Sequence, residues 1–179
     1  MKNFLLGIVL GLIMVPAAIY LYFASGSAPV ATSAPDMPFE KMLARKALHA
    51  RMAKELPKLV PINADESSYM TGADVYREHC AVCHGLPARP ATGIAKGMYP
   101  KPPVLLEGKG VTDDTPGETY WKVSGGIRMT GMPAFQKSLS EAQMWQVSLL
   151  LANADKLPKS VQDRLSAVSP SAAAQPSTN

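Results

Sequence analysis

The chain has 179 residues, 47% of them hydrophobic, with a formal charge of +4 and a pI near 9.1. The positive excess is local: residues 36 to 60 hold six Lys/Arg against three Asp/Glu, whereas residues 70 to 158 hold nine against eight, so no basic face for nucleic acid is indicated. Setting aside an apolar N-terminus and two low-complexity segments leaves one compact domain of roughly 90 residues, small enough to want a staple beyond its own core.

Lys2 is followed by an apolar run from Phe4 to Ala24 with no charged residue inside it. About 20 apolar residues span a bilayer as a helix, whereas the apolar part of a cleaved signal peptide is usually roughly 7 to 15 residues long. The run therefore reads as an uncleaved anchor, residues 1–24; the alternative is a long signal peptide cut near Ala24 to Ala28, where small residues abound. Pro16 removes one backbone donor, which a membrane helix tolerates when neighbouring groups take over the freed carbonyl, and Tyr20 and Tyr22 suit one membrane interface. With Lys2 before the run and no charge from Ser25 to Pro35, the positive-inside rule keeps the N-terminus cytoplasmic and exports the chain beyond residue 24.

Residues 25–38 are rich in Ser, Ala and Pro and read as a flexible linker. From Phe39 to Leu56 good helix formers dominate, with Asp36 or Pro38 before them and Pro57 ending the run; this opens a helical extension and connector, residues 39–69. Its apolar positions Phe39, Met42, Leu43, Ala47 and Ala50 trace an imperfect stripe, suited to the next domain, to anionic headgroups or to a partner subunit. His49 on this basic face reads as solvated.

The compact domain, residues 70–158, starts with a helix from about Thr71, in which Gly72, Val75, Tyr76 and His79 share a face and Thr71 or Ser68 caps the amide end. This helix delivers Cys80-Ala81-Val82-Cys83-His84, which contains the chain's only two cysteines. Two thiols three positions apart with a histidine directly behind them form the attachment signature of a c-type haem: each thiol adds across a vinyl group and the next imidazole lies under the iron. A zinc site would need a further pair of ligands, a thioredoxin-like pair would need alternating strands and helices, and a disulfide between Cys80 and Cys83 would close a tiny, strained loop. His79 cannot reach the iron from the same backbone position as His84 and reads as a packing residue.

Between Gly85 and Gly117 lie six prolines and six glycines, an irregular stretch that needs a ligand to order it; wrapping a haem edge is such a reason. Glu118 to Lys122 opens another helix before Gly125-Gly126. The second ligand candidate lies in Gly126 to Phe135, where Met132 sits between Gly131 and Pro133 on a turn whose backbone donors are committed or absent. It lies 48 residues beyond His84, ample chain to pass to the opposite haem face. Met129 and Met98 are its rivals. A thioether opposite a histidine favours ferrous iron and raises the potential. The last helix runs from Ser140, a capping-box partner of Gln143, to about Leu157, with Trp145 in the core. Residues 159–179 read as a disordered tail.

Cys80-x-x-Cys83-His84 after the Gly72/Tyr76 helix, Thr130-Gly131-Met132-Pro133-Ala134-Phe135, and a C-terminal helix bearing Trp145 together resemble a class I monohaem cytochrome c. The likeness is greatest to membrane-anchored bacterial cytochromes c of the group related to cbb3-type oxidases, whose Pro-rich segment before the ligand turn is similar to Tyr99-Pro100-Lys101-Pro102-Pro103. The resemblance implies an all-α fold around one covalent haem c, held through Cys80 and Cys83 with His84 proximal and Met132 distal. Ser124, where related chains often carry histidine, departs from the pattern without touching either ligand.

These readings together lead us to expect an electron carrier rather than an enzyme, tethered to the bacterial inner membrane with its haem domain on the periplasmic face. Its partners would be membrane redox complexes: a quinol-oxidising complex, a terminal oxidase or a dehydrogenase. Two alternatives stand beside it: a fixed electron-transfer subunit docked through residues 39 to 56, and a haem enzyme or gas sensor with an open iron position. Gly131 to Phe135 offers no acid-base group for the latter.

Overall fold

Leu, Ile, Val and Ala dominate residues 2–24, and the segment forms one helix, α1 (Lys2–Ala24), with Pro16 inside it and none of its side chains buried. At ~1.5 Å per residue it is about 35 Å long, enough to cross a hydrocarbon layer of about 30 Å. The computed structural model describes residues 1–108 and 112–167. Its first unit, Met1–Ala47, contains α1 and the start of α2 (Glu40–Glu55), and the second runs from Leu48 onward. Among the described residues every regular element is helical and none is a strand.

In the second unit α3 (Glu66–Val75) begins five residues earlier than the sequence pattern suggests. Asp65, rather than Thr71 or Ser68, is the cap: its carboxylate accepts the Ser68 N–H at 2.8 Å. The helix continues as a single π-turn, Tyr76–Cys80, in which the Ala81 N–H donates to the Tyr76 carbonyl, and then as α4 (Ala81–His84). Gly85, at φ +80°, ends it. A short α5 (Gly93–Gly97) interrupts the stretch that reads as irregular, capped by Thr92, whose hydroxyl also donates to the Val82 carbonyl at 2.6 Å. Two capping boxes then start the last large helices: Thr115 with Glu118 for α6 (Pro116–Gly125), and Ser140 with Gln143 for α7 (Glu141–Ala152).

The core forms where α3 crosses α7. A β-carbon at Gly72 would lie 2.5 Å from the Gln146 carbonyl oxygen, so only glycine admits this approach. Tyr76, Val147 and Leu150 are fully buried around the crossing, and Trp145 stacks on Tyr120 with ring centroids 4.1 Å apart, joining α7 to α6.

One expectation is overturned at the C-terminus. Residues 159–166 are not a disordered tail but a helix, α8 (Lys159–Ser166), with Val161 and Leu165 buried against α3. Arg164 pairs with Asp74, Ser160 with Glu66, and the Arg77 guanidinium donates to the Ala167 carbonyl. Leu157, Val161 and Leu165 recur every four residues, which was the legible signal. Residues 168–179 of that expected tail lie outside the described residues.

Candidate functional site

The π-turn and α4 present Cys80, Cys83 and His84 to a cavity of about 260 Å³. Both cysteines are free thiols. Burial, reinforced by the nearby Cys83, pushes the Cys80 thiol up to about 12, so it is held as S–H. Tyr76, buried beneath the turn, donates its hydroxyl hydrogen to the Gly85 carbonyl at 2.9 Å and fixes the chain as it leaves His84.

His84 has its tautomer set by the loop opposite. Its Nδ1 lies 2.8 Å from the Pro103 carbonyl oxygen, which can only accept, so Nδ1 carries the hydrogen and Nε2 keeps a free lone pair. Burial lowers its pKa, the hydrogen bond to Pro103 opposing in part, and the ring is the neutral donor that a metal requires. Met98 and the segment Pro100–Pro103 form much of the facing wall, so the Pro- and Gly-rich stretch lines the cavity.

Met132 reaches the same cavity from the loop after α6. Gly126, at φ +64°, turns the chain there, and a β-carbon on it would lie 2.7 Å from the Ala134 nitrogen. The loop closes on itself: the Ile127 N–H donates to the Met132 carbonyl at 3.2 Å, the Met132 N–H to the Thr130 hydroxyl at 3.1 Å, and that hydroxyl to the Ile127 carbonyl at 2.7 Å. The Phe135 N–H donates to the Val123 carbonyl at 3.0 Å and ties the loop to α6. Of the rivals, Met129 is 93% exposed, whereas Met98 lies on the cavity wall with its Cε packed over Gly131.

His79, expected to be a packing residue, packs edge-on against Phe135 at 6.0 Å between centroids, both rings bordering the cavity. Sequence reasoning missed Leu48 and Leu151 as cavity residues; neither carries a local motif, and only the tertiary fold assembles them. The donor chemistry fits a haem: two thiols, one neutral imidazole and thioether sulfurs in a mostly apolar cleft. Among the described residues no group of three or more His, Cys, Asp or Glu could hold a bare metal ion, so the zinc reading finds no further ligands.

Residues 67–149 match the family described as cytochrome c oxidase, cbb3-type, subunit III. This segment is a cytochrome c domain. The match supports a monohaem cytochrome c of the cbb3-related group, a family that implies haem c and electron transfer. No curated protein matches the chain. Among solved structures, the chain is similar to one in the Kuenenia stuttgartiensis reducing HAO-like protein complex Kustc0457/Kustc0458, with 25% identity, a TM-score of 0.46 and 52% of the present chain covered. The present chain spans 46% of that neighbour's length.

Proposed function

We propose that the chain is a membrane-tethered one-electron carrier of a respiratory chain, with haem c attached through Cys80 and Cys83, His84 as proximal ligand and Met132 as distal ligand. The observation that carries this reading is the His84–Pro103 hydrogen bond, which leaves Nε2 free in the cavity that also receives both thiols and Met132. A bound haem supplies a reversible one-electron couple with no bond made or broken. The chain's residues hold and orient it: the thiols tether, Pro103 fixes the imidazole, and Thr130 fixes the backbone that presents Met132. The apolar walls keep water away and favour the less charged ferrous state.

The apolar helix α1 is a candidate membrane span and supports the tether. In this reading it crosses a bacterial inner membrane, with the haem domain on the periplasmic face beside a quinol-oxidising complex, a terminal oxidase or a dehydrogenase. Confinement to that layer raises encounter frequency through effective concentration. The family's description names an oxidase subunit, which favours a second reading as a fixed electron-transfer subunit. Copurification of a stoichiometric oxidase in mild detergent would select the second reading; isolation of the cytochrome alone selects the first.

The test of the site is optical. Protein expressed with a haem-attachment system should give a c-type pyridine haemochrome, a ferric thioether charge-transfer band and no response to CO. A reduced form that binds CO readily moves the reading to ligand binding or catalysis, and absence of covalent haem overturns it.

A further inference from the structure

Leu48, Met52 and Glu55 stand at i, i+4 and i+7, so they share one face of α2. This is not the stripe that the apolar pattern of residues 39 to 56 suggests. Leu48 lines the cavity that holds Cys80, His84 and Met132, and it belongs to the same compact unit as they do. Met52, one turn on, is 4% exposed and is the buried residue of the helix. Glu55 accepts the indole N–H of Trp121 at 3.1 Å and pairs with Arg51. Beyond the helix, the Pro57 carbonyl comes within 3.1 Å of where a β-carbon on Gly117 would stand. Trp121 and Gly117 both lie on α6, which itself contributes Thr119, Lys122 and Val123 to the cavity wall.

We propose that the segment from Leu48 to Pro57 is a wall of the haem cavity clamped to α6, and that Leu48 keeps water from the haem edge on that side. The proposal rests on the carrier reading and deepens it: a segment outside the residues that match the family becomes a determinant of the potential. The physical link is solvation. Water at the haem edge stabilises the more highly charged ferric state, so a leucine that excludes it raises the potential. The clamp is polar at one end and apolar at the other, with the Trp121–Glu55 bond holding the helix in register so that Leu48 meets the cavity.

The full-length haem-loaded chain in detergent provides the test, through its midpoint potential and its rate of reduction by ascorbate. Leu48→Ser should lower the potential and speed reduction several-fold, Leu48→Met should restore both, and Leu43→Ser, at an exposed position of the same helix, should leave both unchanged. Wild-type values for Leu48→Ser overturn the proposal and leave the carrier reading intact. If Leu48→Ser does not load haem, Trp121→Phe removes the donor to Glu55 while keeping an aromatic ring; it should shift both readouts in the same direction, and unchanged values overturn the wall. A wild-type chain without covalent haem, read separately by the haemochrome, overturns the carrier reading and the wall with it.

Discussion

Met132 and Met98 both line the cavity, and the difference between them is how each is held. Met132 sits in a loop cross-linked by the Thr130 hydroxyl, so Met132→Ala should abolish the ferric thioether band and lower the potential, while Met129→Ala, at a 93% exposed position, changes neither. A band that survives Met132→Ala and disappears in Met98→Ala would transfer the distal role. Gly126→Ala acts on the same loop through the backbone: at φ +64°, with its β-carbon 2.7 Å from the Ala134 nitrogen, it should displace Met132 and weaken the band without removing a ligand. The CxxCH run was legible because covalent attachment demands fixed spacing. Pro103 as the partner of His84 was not, since nothing local distinguishes it from five other prolines in the same stretch; only the folded loop brings its carbonyl to the imidazole.

Helix boundaries obey capping chemistry, and the misreadings arise from it. The α6 and α7 capping boxes have reciprocal side chains three residues apart and are visible in sequence, whereas Asp65 lies upstream of the apolar pattern that marks α3. Asp65 also gives a pH signature. Hydrogen bonds from Ser68 hold its carboxyl below the usual range, so its contribution to stability is present above the ordinary aspartate pKa of about 3.9 and is lost as pH falls through the lower folded value. Asp65→Ala should therefore lower Tm at neutral pH, with the gap to wild type closing in acid. Apolar spacing in α8 is short, and its Ser- and Ala-rich surroundings mask it. Leu165→Ala should cost about 2–5 kcal/mol in urea unfolding, a loss that a disordered tail would not show. At the α3–α7 crossing, Gly72→Leu should cost at least about 1–3 kcal/mol, because the Gln146 backbone cannot move aside as a flexible side chain would.

For the molecule as a whole, the apolar length of α1 was legible because it arises from composition, and the all-helical character of the described residues because the resemblance to a class I cytochrome c implied it. The role of residues 48 to 57 was not, because its contact face mixes one leucine, one methionine and one glutamate, which no hydrophobic pattern selects. Replacing residues 1–24 with a cleavable export signal should release the haem protein into the soluble fraction with its spectrum unchanged; a cytochrome still bound to membranes would place the attachment elsewhere. The cavity wall begins at Leu48 and ends at Leu151, which lies 67 residues after His84. At about 5–20 residues per second of synthesis, the thiol pair is complete roughly 3 to 13 s before the last wall residue exists. A haem joined within that interval meets a chain that has no pocket yet, and the later helices close around a cofactor that is already one of its side chains.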